Sequence, residues 1–170
     1  MKVTLIYPIL FSLLSCTASQ QESNELERLR AENEALKKGV DENSEKEKEA
    51  KRRKYRNNVL DYLSWDFNYN SAALGGIDEV KVHLTNSFPY RLDYVRFTLK
   101  YIKANGELYK QEDLIFEKVK ANESVLGIGA SSDRGTVCRI ELEEVRSNSL
   151  NLCYAPLKYF PNELDPFKCE

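Results

Sequence analysis

The sequence predicts a mainly β protein: an antiparallel β-sandwich of about seven strands, preceded by an N-terminal charged α-helix. Three observations predict it. Apolar and polar residues alternate in short runs from Leu63 onward, as in Leu63-Ser64-Trp65-Asp66-Phe67-Asn68-Tyr69. A period of two marks a strand with one buried face. Turn residues punctuate those runs at Gly75-Gly76, Ala104-Asn105-Gly106, Asp133-Arg134-Gly135 and Ser147-Asn148-Ser149. Ahead of them, residues 21–57 hold 10 acidic and 11 basic residues in 37, so the core must be built from the residues after position 57.

The N-terminus comes first. Lys2 gives a short positive start, and Val3 to Leu14 is apolar apart from Thr4, Pro8 and Ser12. That run has the length of a signal-peptide core and falls short of the roughly 20 residues a spanning helix needs. It runs through Leu13-Leu14-Ser15 into Cys16, and polar Thr17-Ala18-Ser19-Gln20 comes at once after it. The stretch resembles the bacterial lipobox. The resemblance implies a thiol alkylated by diacylglycerol, cleavage before Cys16 and acylation of the new amino group. Each buried CH₂ of such chains contributes about 0.8 kcal/mol, enough for two or three chains to hold a domain on a bilayer. Thr17 after the cysteine, where inner-membrane retention would favour Asp, leans to the outer membrane by analogy. An ordinary secretory peptide with a chance cysteine is the alternative.

Residues 24–56 read as a helix, about 50 Å long at 1.5 Å per residue. Leu26, Leu29, Asn33, Leu36 and Val40 fall at spacings of three and four. These are the a and d positions of a coiled coil, with Asn33 at an a position, where it sets register. The pattern lasts about two heptads, and Gly39 costs about 1 kcal/mol in a helix. Two readings stand: a solvated single helix held by charge pairs, or a weak homodimer zipper. The basic end, Lys51-Arg52-Arg53-Lys54 and Arg56, is either a solvated face or a contact for anionic head groups or polysaccharide.

Helical spacing of Val59, Tyr62 and Leu63 gives way to alternation in Leu63, Trp65, Phe67 and Tyr69. The next strand candidates carry Val80, Val82 and Leu84, then Val95, Phe97, Leu99 and Tyr101. After the Ala104-Asn105-Gly106 turn come the runs ELYKQEDLIFEKV, ESVLGIGAS, TVCRIELEEV and LNLCYA. Lys, Arg and Glu on the outward positions suit sheets with one face in water.

The pieces LGGIDEVKVHLTN, YVRFTLKYIKANGELYKQED, SSDRGTV and SNSLNLCY resemble small immunoglobulin-like modules of bacterial envelope proteins, akin to FxLYD-type domains. The resemblance covers roughly residues 63–154 and implies an immunoglobulin-like sandwich. It implies no catalytic residue. The chain departs from the pattern with ANESVLGIGAS, where those modules carry a proline-rich turn.

Chemistry is sparse. His83 is the one histidine, on an outward strand position, so a multi-histidine metal site and a serine–histidine–aspartate triad are excluded. There is no CxxC pair, and the glycines are too sparse for a phosphate loop. No catalytic residue, metal ligand or cofactor is expected. Net charge is −2 and the pI about 5.7, which gives no reason to expect nucleic acid. The row Leu63, Trp65, Phe67 and Tyr69 is core or a stacking surface for glycan or peptide, with Tyr90, Tyr94 and Tyr109 as possible additions. With Cys16 lipidated, Cys138, Cys153 and Cys169 remain. Cys138 shares a face with Ile140 and Leu142, whereas Cys153 faces outward. A Cys153–Cys169 bridge would then pin the tail in an oxidising compartment.

The expected organisation is a lipoprotein signal peptide at 1–15, a lipidated linker at 16–23, a helical stalk or short coiled coil at 24–56, the sandwich at 57–155 and a tail at 156–170. The expected function is that of a membrane-anchored bacterial envelope lipoprotein. Its anchor is Cys16, and its sandwich is non-catalytic and contacts a protein or polysaccharide. The alternatives are a structural or assembly protein oligomerising through its helix, and an enzyme with no recognisable site.

Overall fold

The computed structural model describes residues 12–73, 75–156 and 165–169, with side chains from residue 23 onward. It is mainly β, with seven strands in two antiparallel sheets behind an N-terminal helix. The chain divides into two compact units after Lys48.

The first unit is part of helix α1 (Ser12–Asn57). Every side chain from 23 to 48 is exposed. Ion pairs one turn apart decorate it, Glu25 with Arg28 at 3.9 Å and Glu45 with Lys48 at 2.7 Å. Exposed pairs of this kind contribute only a few tenths of a kcal/mol, roughly 0.3–0.5 each.

The second unit begins with the last turns of α1. Asn58 leaves the helical region (φ −128°, ψ 43°), and a short helix α2 (Val59–Tyr62) comes next. Leu63 is already extended, and the chain passes directly into β1 (Leu63–Ser71). The remaining strands are β2 (Ile77–Asn86), β3 (Leu92–Ile102), β4 (Leu108–Val119), β5 (Glu123–Gly129), β6 (Val137–Ser147) and β7 (Leu152–Tyr154). One sheet has the order β1-β2-β5 and the other β4-β3-β6-β7. Trp65 stands opposite Leu84 in register, Phe67 opposite Val82 and Tyr69 opposite Val80, so the inward row of β1 continues that of β2.

The inward residues form one core. Val80, Val82 and Leu84 of β2, Val95, Phe97, Leu99 and Tyr101 of β3, and Val145 of β6 are all buried. Each such side chain contributes about 1.5–3 kcal/mol on removal from water. The helical end is stitched on by rings: Tyr55 lies 4.9 Å from Tyr62, and Tyr62 lies 5.2 Å from Phe88, centroid to centroid.

Strands β5 and β4 close one side of the core, and two glycines allow it. A Cβ on Gly127 would fall 2.5 Å from Phe116 Cζ, and one on Gly129 would fall 2.4 Å from Leu99 Cδ1. Leu99 is fully buried in β3. Gly129→Val is therefore expected to lower stability by about 1–3 kcal/mol, as overpacking does. Urea denaturation of the full chain measures it, and an unchanged midpoint would mean that Gly129 of β5 does not approach Leu99 of β3 this closely.

Candidate functional site

Strand β1 is the outer strand of its sheet and pairs with β2 alone among the described strands. Ser64, Asp66, Asn68 and Asn70 point to solvent, and Leu63, Trp65, Phe67 and Tyr69 point inward. Only Leu63 is fully buried. Trp65, Phe67 and Tyr69 are half-buried, whereas the inward residues of the neighbouring β2 are fully covered. The Trp65 ring sits 5.3 Å from Phe97 in the core, and the rings of Phe67 and Tyr69 stack at 6.5 Å with a 23° interplanar angle.

Topology explains the partial exposure. Because β5 lies against β4, β1 stands on the opposite side, towards β6 and β7. There β7 is three residues long, pairs with Val145, Arg146 and Ser147 of β6 on one side and is bridged on the other by the short segment around Lys168. The inward Ile140 and Leu142 of β6 are half-buried as well. A cavity of about 330 Å³ opens beside them, lined by Glu141, Leu142, Glu143 and Pro156. A row of half-open aromatic faces can stack on sugar rings or on apolar side chains of an extended partner. It carries no nucleophile and no acid–base pair.

The other residues singled out from sequence lie apart from this row. Cys16 lies on the backbone of α1, and its side chain is outside the described residues. Residues 1–11 are also outside them. Leu26, Leu29, Leu36 and Val40 are exposed on α1, and Asn33 donates a hydrogen bond to the Leu29 carbonyl at 3.0 Å. Cys153 and Cys169 are joined in a disulfide with Cα atoms 5.0 Å apart. Cys138 is a buried free thiol, its pKa pushed up to about 11 by burial, with the Glu112 charge adding to the shift. His83 is exposed on the outward face of β2.

The three additional tyrosines do not join the aromatic row. Tyr90 packs on Tyr55 at 5.8 Å, Tyr94 lies under the Arg146 guanidinium on the outer face, and Tyr109 donates to Asp133 Oδ1 at 2.7 Å. Among the described residues, no group of three or more His, Cys, Asp or Glu side chains is arranged to hold a metal ion, and no helix is long and apolar enough to cross a membrane.

Two clusters are not evident from the sequence. Arg56 belongs to a basic run that reads as solvated, yet it is fully buried. It donates to Asp165, to Glu49 Oε1 at 2.6 Å and to the Leu150 carbonyl at 2.5 Å. Its spacing from Val59 and Leu63, three and then four, is the signal that places it on their inward face. The second cluster is Tyr101, whose hydroxyl donates to Glu112 Oε1, a carboxylate oxygen that also accepts from the Ala130 amide. Burial alone would raise the Glu112 carboxyl, but those two donors and Lys110 more than offset it and hold it below the ordinary range.

Comparison with protein-family models, with curated proteins and with solved structures found no match.

Proposed function

We propose that this chain is a bacterial envelope lipoprotein, anchored through Cys16 in the outer membrane, that presents a non-catalytic immunoglobulin-like module for contact with a protein or polysaccharide. The observation that carries the reading is the Cys153–Cys169 disulfide. Such bonds persist in oxidising compartments and are rare in the cytosol, so the bond supports export. The Leu13-Leu14-Ser15-Cys16 stretch then supplies the anchor.

The strand order supports the immunoglobulin-like reading. Strands one, two and five form one sheet, and three, six and seven lie together in the other, as in the constant-type immunoglobulin arrangement. The difference is the fourth strand, which here pairs with the third. The FxLYD-type resemblance belongs to the same proposal. The half-open row Trp65, Phe67 and Tyr69 is the surface we assign to the partner.

Two measurements test the reading. Metabolic acyl labelling should mark the wild-type chain and leave Cys16→Ala unlabelled; an unchanged label defeats the anchor. Crosslinking and affinity capture from envelopes should recover a partner with the wild type and about tenfold less of it with Phe67→Ala/Tyr69→Ala, since two lost stacking contacts are worth about 1 kcal/mol or more. Equal recovery by both chains removes the aromatic row from the proposal.

The exposed a and d row of α1 favours a second reading, a structural protein that oligomerises through a short coiled coil. It is compatible with the first, because anchoring confines the chains to one surface and raises their local concentration.

A further inference from the structure

We propose that residues 25–40 of α1 form a parallel, in-register two-stranded coil with a second copy of this chain. The inference deepens the coiled-coil reading above and rests on it. Leu26, Leu29, Leu36 and Val40 are 51%, 44%, 63% and 67% exposed, an apolar seam with nothing on it among the described residues. The seam alone does not name its occupant. The charges beside it do.

With Leu26, Asn33 and Val40 at a and Leu29 and Leu36 at d, the flanking g positions are Glu25 and Glu32 and the flanking e positions are Arg30 and Lys37. In a parallel coil each g side chain meets the e side chain five residues further along the partner. Glu25 then faces Arg30 of the second copy and Glu32 faces Lys37. Twofold symmetry repeats both contacts, so every flanking pair is attractive.

An antiparallel pairing sets g against g and e against e. Glu would face Glu, and Arg or Lys would face Arg or Lys, so every pair would be repulsive. The charge pattern therefore selects both the partner and its direction. Asn33 adds register, because a polar residue at one a position is satisfied by its own copy across a two-stranded seam. Little is given up on pairing, since the contact of Glu25 with Arg28 is 3.9 Å long and exposed.

The coil ends where the pattern ends. Beyond Val40 the next seam positions are Asn43 and Glu47; Gly39 at g meets Ser44 at e with no charge on either, and the g–e pair after that is Lys46 with Lys51, which would repel. A parallel arrangement also leaves residue 16 of both copies at the same end, as two anchors in one membrane require.

The test uses the full chain carrying Cys16→Ser, so that its outcome does not depend on acylation. Sedimentation should show a concentration-dependent dimer. Glu25→Lys/Glu32→Lys, and separately Arg30→Glu/Lys37→Glu, should each weaken it on the order of a hundredfold by turning four exposed attractions into repulsions. Mixing the two variants in equal amounts should restore it. A chain with Leu26→Cys should trap as a disulfide with its own copy, whereas a Leu26→Cys chain mixed with a Val40→Cys chain should give no mixed product. A monomer at every concentration overturns the coil and this inference together. A dimer indifferent to both charge reversals, or one trapped between positions 26 and 40, leaves the coil standing and overturns the parallel in-register assignment.

Discussion

Asp165→Ala will lower the unfolding free energy of the full chain by about 3 kcal/mol, the low end of the range for breaking a buried ion pair. The Arg56 side chain is 0% exposed, and its partners Asp165 and Glu49 are 16% and 44% exposed. Arg56 Nε donates to both Asp165 oxygens, at 3.0 and 3.2 Å, and Nη2 donates to Asp165 as well. Burial works against this charge, and Asp165 and Glu49 more than offset it, so the guanidinium pKa is raised. Without Asp165 the cation stays desolvated, with Glu49 and one carbonyl as its remaining partners. Urea denaturation measures the loss. Glu49→Gln should cost under about 1 kcal/mol, because that carboxylate is half in water and its attraction is screened. The paired change Arg56→Met/Asp165→Leu should recover most of the loss, since an apolar replacement leaves no charge unmatched. An Asp165→Ala midpoint equal to the wild type would show that the pair does not hold the helix end.

Opening the Cys153–Cys169 bond should cost a similar amount, about 3 kcal/mol for a loop near this length. The two cysteines are 16 residues apart, so the bond restricts the unfolded chain over that span. The same segment is tied down in other ways. The Cys153 amide donates to the Phe167 carbonyl at 2.9 Å, and the Cys169 amide donates to the Asn151 carbonyl at 3.0 Å. The Phe167 ring is buried 4.6 Å from that of Tyr154. Cys153→Ser/Cys169→Ser should therefore destabilise the chain without abolishing folding. Asp165 sits four residues before Cys169, so the disulfide and the ion pair share one segment. Combined with Asp165→Ala, the serine variant should lose less than the sum of the two, with a coupling of about 1 kcal/mol in a double-mutant cycle. Strict additivity would mean that the bond and the ion pair act separately.

Much of the β unit is legible in the residue pattern. Val80, Val82 and Leu84, or Val95, Phe97, Leu99 and Tyr101, alternate strictly because each strand has one face in the core and one in water. Glycine, asparagine and serine clusters mark where the chain turns. The candidate site is legible only as an ambiguity: Trp65, Phe67 and Tyr69 share a face, and at strand spacing such a row is more often core than binding surface. The buried state of Arg56 is hidden by its neighbours. Local charge density marks a solvated run, while the spacing to Val59 and Leu63 points inward.

By itself the sequence determined the mainly β character behind a charged helix, about seven strands, and the apolar face of those that alternate most strictly, such as Val80, Val82 and Leu84 or Val95, Phe97, Leu99 and Tyr101. It also carries the Leu13-Leu14-Ser15-Cys16 motif on which the proposed address rests. These features depend on neighbours a few residues apart, where period and turn chemistry suffice. The tertiary structure alone decided that β5 pairs with β2, that β7 stops after three residues and that the aromatic row of β1 stays half open. It alone brought Asp165 to Arg56, 109 residues away. Such pairings are set by which surfaces pack when the whole chain closes, and no local period records them.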